Sequence, residues 1–164
     1  MYGSKFHTDL GLFRGCEELE KIDPNFFSYS PNLTSISYMF RDCKKLTTIP
    51  DGLFDNLLKL KDVSYLFQGC ENLTKISKNM FDRCKRIINM RGTFSETGIT
   101  EFPSGFFDTL SYLEDVSRIF EDSMIETIPN KLFANKKQLT NISEAFYHCI
   151  SIETVPGDLF SGCV

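Results

Sequence analysis

The sequence has no tryptophan and only two histidines, His7 and His148, in 164 residues. Two imidazoles near opposite ends are too few for a histidine-built metal or acid–base site unless the fold brings them together. Basic blocks are missing too: 18 Lys and Arg stand against 22 Asp and Glu, for a formal net charge of −4. That excludes nucleic acid from the expected partners, because phosphate binding needs clustered cations. No apolar run approaches the roughly 20 residues of a membrane-spanning helix, so no membrane insertion by this chain is expected. The opening Met1-Tyr2-Gly3-Ser4-Lys5 lacks the apolar core of a signal peptide. Carboxylates form no pattern-placed pair and no nucleophile stands in a recognisable catalytic setting. The expectation is a chain that is not an enzyme and needs no cofactor.

What is present is phenylalanine. There are 16, within a composition that is 41% apolar and 24% charged, suited to one folded domain. Twelve fall at 13, 27, 40, 54, 67, 81, 94, 107, 120, 133, 146 and 160, with gaps of 13 or 14 throughout. Two gaps make the larger unit, which is 27 residues from Phe13 to Phe94 and 26 from Phe94 to Phe146. Fixed periods of this length mark stacked repeats, each unable to bury its own apolar side chains.

Other columns keep step. Six residues after most of these Phe comes an aliphatic (Leu19, Leu33, Leu46, Leu60, Leu73, Ile87, Leu113, Leu139, Ile152), and three further on another (Ile22, Ile36, Ile49, Val63, Ile76, Met90, Val116, Ile142, Val155). Two half-units are one residue shorter, and their apolar pairs arrive early as Ile99/Phe102 and Ile125/Ile128. The halves differ. In the first the second aliphatic is usually followed by Pro (Pro50, Pro103, Pro129, Pro156), in the second by Ser (Ser37, Ser64, Ser117, Ser143). One coil therefore has two dissimilar sides. Thr, Ile and Val favour short parallel strands, and segments such as Leu53-Phe54-Asp55-Asn56 favour a helical or 3-10 turn. Whether the second half also forms a strand is left open by the pattern.

The run Phe40-Arg41-Asp42-Cys43-Lys44-Lys45-Leu46-Thr47-Thr48-Ile49-Pro50-Asp51-Gly52-Leu53-Phe54 resembles the repeat of BspA-like leucine-rich proteins, and Phe67-Gln68-Gly69-Cys70-Glu71-Asn72-Leu73-Thr74-Lys75-Ile76 repeats it. The resemblance implies an α/β fold, a right-handed leucine-rich-repeat-like solenoid of about six coils. Short parallel strands are expected at 47–49, 74–76 and their equivalents, with short helical or 3-10 turns elsewhere. Residues 13–164 form the solenoid; 1–12 are an atypical N-terminal segment, a cap or an eroded coil, with Asp9 where an aliphatic is expected. Phe160-Ser161-Gly162-Cys163-Val164 opens a half-unit without finishing it, so that end is expected to continue or to dock on something.

All six Cys (Cys16, Cys43, Cys70, Cys84, Cys149, Cys163) lie three residues after a repeat Phe, and Thr97 and Ser123 take that place in the shortened half-units. A column running along an axis does not converge on a metal, and free Cys behaves as a small buried hydrophobe. Reduced, largely buried thiols and no metal site are expected. Of the sequons at Asn32, Asn72 and Asn141, two arise from the repeat's own Asn-Leu-Thr wording, and all three are centred on a core Leu or Ile, so glycosylation is not expected.

By the resemblance, the function is a non-catalytic protein-interaction or adhesion module, surface-displayed on bacteria or secreted, with its signal or anchor outside this chain. The alternative is a structural or receptor-binding repeat within a larger assembly such as a phage virion. The partner is macromolecular, a protein or glycan. The candidate binding face is the row between the two aliphatics of the first half: Thr47, Thr48, Thr74, Lys75, Thr100, Glu101, Glu126 and Thr127. Its hydroxyls and mixed charge suit hydrogen bonding. The second-half row, with Lys61, Asp62, Glu114 and Asp115, is the contrasting surface.

Overall fold

A computed structural model describes residues 11–163; the atypical opening segment lies almost wholly outside them, as do His7 and Asp9. The described chain is a stack of coils, one per 26 or 27 residues, around a continuous apolar core. Phe27, Phe40, Phe54, Phe67, Phe81, Phe94, Phe107, Phe120 and Phe133 are buried, as their period requires. Phe13 and Phe146 are partly buried against the core, and Phe160, in the last described half-unit, is 38% exposed.

The rings form two ladders. In one, Phe13, Phe40, Phe67, Phe94, Phe120 and Phe146 stack with centroids 5.3–6.2 Å apart. In the other, Phe27, Phe54 and Phe81 form one run and Phe107, Phe133 and Phe160 a second, at 5.0–5.7 Å. Phe106 sits between those runs, edge-on to both Phe81 and Phe94 at 6.0 and 5.7 Å. Phe102 stands where other coils have Ile, and its ring meets Phe120 at 4.6 Å, filling volume next to a one-residue deletion.

Backbone hydrogen bonds explain how a coil this short closes. In the second half, the N–H groups of Ile36, Tyr38, Phe40 and Asp42 donate to the carbonyls of Asp62, Ser64, Leu66 and Gln68 in the next coil, at 2.7–3.1 Å. The same alternate donation runs from Val63 to Gly69, from Met90 to Glu96 and from Val116 to Asp122. Between them, Met39, Arg41 and Cys43 donate back within their own coil to Ile36, Tyr38 and Phe40. The remaining donor is taken by a side chain: Asp62 Oδ1 accepts from Ser64 N at 2.9 Å, and Asp115 Oδ1 from Ser117 N at 2.7 Å. Ser35, Asn89 and Asn141 do the same for Ser37, Arg91 and Ser143. Such local acceptors satisfy amides that a buried turn would otherwise leave unpaired.

This pattern needs left-handed backbone twice per coil. Tyr38, Tyr65, Gly92, Arg118 and Glu144 have φ between 55° and 59°, and Asp42, Gly69, Glu96, Asp122 and His148 have φ between 54° and 71°. Each of the first set is the third residue of a tight turn, where a type II geometry demands positive φ. Gly92 meets a second demand: a Cβ there would lie 2.4 Å from the Tyr65 ring.

Two expectations are corrected. The parallel bridges do not lie at 47–49 and 74–76; they link Ser35, Asp62, Asn89, Asp115 and Asn141, in the half whose strand character was open, and the first half contributes Glu101 to Thr127. The second half wins the ladder because its alternate amides, from Ile36 to Asp42 and their equivalents, all donate to the next coil. Pro50, Pro103, Pro129 and Pro156 have no N–H and so limit how far pairing can run in the first half, but they do not decide where it occurs: Ser77 follows 74–76, and the Glu101–Thr127 bridge lies two residues before Pro103 and Pro129. Nor is any helix or 3-10 segment present among the described residues; the chain turns instead through successive i to i+3 bonds such as Asp55 N to Gly52 O and Leu57 N to Phe54 O. The solenoid of the α/β expectation therefore stands without its helices and with single bridges for strands.

Phe67 lies fully buried mid-stack between Phe40 and Phe94, whereas Glu71 is exposed and meets Lys44 only at 4.0 Å. Phe67→Ala should cost about 3–5 kcal/mol, and Glu71→Ala under about 0.5 kcal/mol. Urea unfolding of both variants checks this; comparable losses would refute the column assignment.

Candidate functional site: a hydroxyl-rich row on the first half of the coils

The eight candidate residues lie along one side of the stack. Thr47, Thr48, Thr74, Lys75, Glu101, Glu126 and Thr127 are exposed and Thr100 is half-buried. Their backbone comes together in places: Glu101 bridges to Thr127, and Glu126 N donates to Thr100 O at 2.9 Å. Thr47/Thr48 and Thr74/Lys75 keep the same column without a bridge. Among the described residues, none of the eight side chains makes a hydrogen bond or ion pair within the protein. Thr47 also edges a shallow depression with Glu20, Lys21, Lys45 and Asn72. What the row offers is a run of free hydroxyls with interspersed charge.

The contrasting second-half row is occupied. Asp62, Asp115 and Asn141 accept backbone amides two residues on, and Asn141 Nδ2 also donates to Asp115 Oδ2 at 3.0 Å. Sequence reasoning treated these as surface groups and missed their structural role. The signal was available: Ser35, Asp62, Asn89, Asp115 and Asn141 are all small oxygen-bearing residues at one repeat position, and such residues favour turns.

His148 and Cys149 face different ways: the imidazole is exposed, 3.0 Å from Asp122 Oδ1, while the thiol is buried and donates to Phe120 O at 2.9 Å. Among the described residues, no group of three or more His, Cys, Asp or Glu is placed to hold a metal ion, and no helix is long and apolar enough to cross a membrane.

The cysteines show why their column is occupied by small donors. Cys43, Cys70, Cys84 and Cys149 are buried, Cys163 is half-buried and Cys16 is exposed; all six are free thiols. Cys43, Cys70, Cys84 and Cys163 donate to the carbonyls of Phe13, Phe40, Phe54 and Phe133 in the preceding coil, at 3.0–3.3 Å. Burial pushes the Cys43 thiol up to about 11, with Cys16 adding to the effect, and the Cys84 thiol up to about 12, with Asp55 adding. Cys70 and Cys149 are raised by burial as well. These are inert thiols, because the nucleophile is the thiolate.

With this geometry in place, residues 20–164 match six copies of the BspA type leucine-rich repeat region. The chain belongs to this family. No curated protein matches it. Among solved structures, this BspA-type chain is similar to the leucine-rich repeat domain of APL1B, with a TM-score of 0.57 and 15% identity over 75% of this chain and 35% of that one. It is also similar to the APL1 leucine-rich repeat domain (TM-score 0.58, 16% identity, 76% of this chain and 30% of that one). A third likeness is to the LRIM1/APL1C complex (TM-score 0.56, 15% identity, 77% and 22%). These likenesses show a leucine-rich repeat solenoid. The chain spans about a third or less of the length of the chains it resembles.

Two measurements follow from the thiols. A thiol reagent should titrate Cys16 first in the folded protein and all six after denaturation; fewer than six without reductant would reveal a disulfide. The second concerns pH. Raised thiol pKa values mean that the folded state holds its protons above the free-thiol value of 9.0 while the unfolded chain loses them. Stability is then full below that value and falls as pH rises toward 11–12. Urea midpoints should decline across this window, and Cys84→Ser should decline less steeply; identical slopes would exclude the thiols as the cause.

Proposed function

We propose that this BspA-type domain is a non-catalytic interaction module that binds a protein or glycan through its first-half row, as an adhesive part of a bacterial surface or secreted protein. One observation carries this reading. The row from Thr47 to Thr127 leaves its side-chain hydrogen-bonding groups free, whereas on the other half Asp62 and Asp115 are committed to their own backbone and only Lys61 and Glu114 of the contrasting row are free. Repeats of this kind place equivalent groups in register along an axis, which suits an extended partner contacted by several coils. The LRIM1/APL1C structure is of a complex, in keeping with an interaction role for this fold.

The test is a partner captured from host-cell or matrix material and then measured against two substitution sets. Alanine at Thr47, Thr74, Thr100 and Thr127 should each weaken binding by under about 1 kcal/mol, with the combined variant losing more, since no single residue dominates. Lys61→Ala and Glu114→Ala are the controls; both are exposed and neither side chain caps a backbone amide. Asp62 and Asp115 are unsuitable controls, because removing either strips a turn of its acceptor. Loss confined to the Lys61/Glu114 pair would place the partner on the other side. Antibody labelling of intact source cells tests the surface location separately.

A further inference from the structure

The second half of the coils carries a feature the hydroxyl row does not. Tyr38 and Tyr65, both in left-handed backbone, stack ring on ring with centroids 5.0 Å apart and planes 18° from parallel. Guanidinium groups flank the pair: the Cζ atoms of Arg14 and Arg41 each lie 5.9 Å from the Tyr38 centroid, and that of Arg91 lies 5.9 Å from the Tyr65 centroid. Gly92 lets the Tyr65 ring lie against the backbone, since any Cβ there would collide with it. Arg91 is held further by Nε donating to Tyr65 Oη and Nη1 donating to Ser117 Oγ at 3.2 Å.

The charge along this ridge is uneven. Farther along the stack, Arg118 is matched by Glu121 and Glu144. Arg41 meets Asp42 only through Nε, 3.3 Å from Oδ2, in a geometry that makes no hydrogen bond. Among the described residues Arg14 has no carboxylate within ion-pair distance, and neither has Arg91. Stacking over a ring uses the face of a guanidinium and leaves N–H edges of Arg14 and Arg41 for a forked contact with a carboxylate; Arg91, with Nε and Nη1 engaged by Tyr65 and Ser117, contributes through Nη2 and its charge.

We propose that the ridge of Arg14, Tyr38, Arg41, Tyr65 and Arg91 is a docking surface for an acidic peptide segment of a protein partner, separate from the hydroxyl row. Tyrosine and arginine are the residues that most often dominate protein interfaces. Holding them by stacking before the partner arrives lowers the entropy lost on binding. Asp42 lies beside Arg41, and Asp115 and Glu144 act on Arg91 from beyond ion-pair distance. These carboxylates repel a dense polyanion but leave room for discrete Asp or Glu side chains, which favours a peptide over a sulfated glycan.

The experiment uses a fluorescent decapeptide with alternating Asp/Glu and Gly, and its Asn/Gln counterpart, titrated with the domain and followed by anisotropy. The acidic peptide should bind at least about tenfold more tightly than the amide form. Arg41→Gln and Arg91→Gln should each weaken it about three- to tenfold and together more, while Arg83→Gln, on the other half of the coil, changes nothing. Circular dichroism melts keep loss of folding apart from loss of contact. Substitutions at Thr47 and Thr74 should leave peptide binding intact, so this surface and the hydroxyl row stand or fall separately. Equal binding of the two peptides, no binding of either, or full binding by the double arginine variant overturns the proposal. So does a heparin fragment that binds the ridge where the acidic peptide does not.

Discussion

The structure depends on amides that reach from one coil to the next at every second residue of the second half. Those bonds hold the stack at a spacing where phenylalanine rings meet ring to ring, and they fix which residues point inward. They also require left-handed backbone at two positions per coil, although eight of the residues there, from Tyr38 to His148, are not glycine. A non-glycine residue in that conformation costs on the order of 1 kcal/mol. The inter-coil bonds at 2.7–3.1 Å and the buried rings offset that cost. Strain here is distributed along the fold and belongs to the architecture, not to one reactive spot.

Much of this was legible in the sequence, and the limits are physical. The phenylalanine columns were plain because burying a large ring once per half-coil leaves little freedom of identity. The cysteine column was legible as small and buried for Cys43, Cys70, Cys84 and Cys149, but not for Cys16, which is exposed, or Cys163, which is half-buried; its hydrogen bond to the preceding coil's carbonyl was not legible, since that depends on the stacking offset. The side carrying the ladder was misread. Threonine-rich segments at Thr47 and Thr74 have strand propensity, yet the ladder forms where successive turns aim alternate amides at the next coil, which propensity does not report. The left-handed columns gave no compositional signal at all: Tyr, Arg, Glu, Asp, His and Gly share them, because turn geometry and not intrinsic preference decides the backbone there. For the same reason nothing in the sequence singled out Tyr38 and Tyr65.

The two sides of the coil divide the work. On one, backbone amides and the Ser35–Asn141 column are consumed in holding the stack, and what projects from the turns is charged and aromatic. On the other, a single bridge, Glu101 to Thr127, forms among the described residues, and the threonine hydroxyls stay free. A chain that must satisfy its amides on one side and need not on the other acquires two surfaces of different chemistry from one repeat.

The uneven distribution of bonds also governs how such a chain can change length. From each first-half Phe to the next second-half Phe the count is always 13, as in Phe27 to Phe40 and Phe133 to Phe146. The return stretch is 14 in some coils and 13 in others, and both deletions, near Thr97 and Ser123, fall there. A residue lost from the hydrogen-bonded side would shift every later donor out of step with its acceptor. A residue lost from the proline side shortens a loop, and a ring such as Phe102 closes the gap. Single-residue variation among coils is thus confined to one side, while duplication of a whole coil adds a donor row and an acceptor row together. The repeat can lengthen by complete turns without redesign, and the reach of any surface it carries lengthens with it.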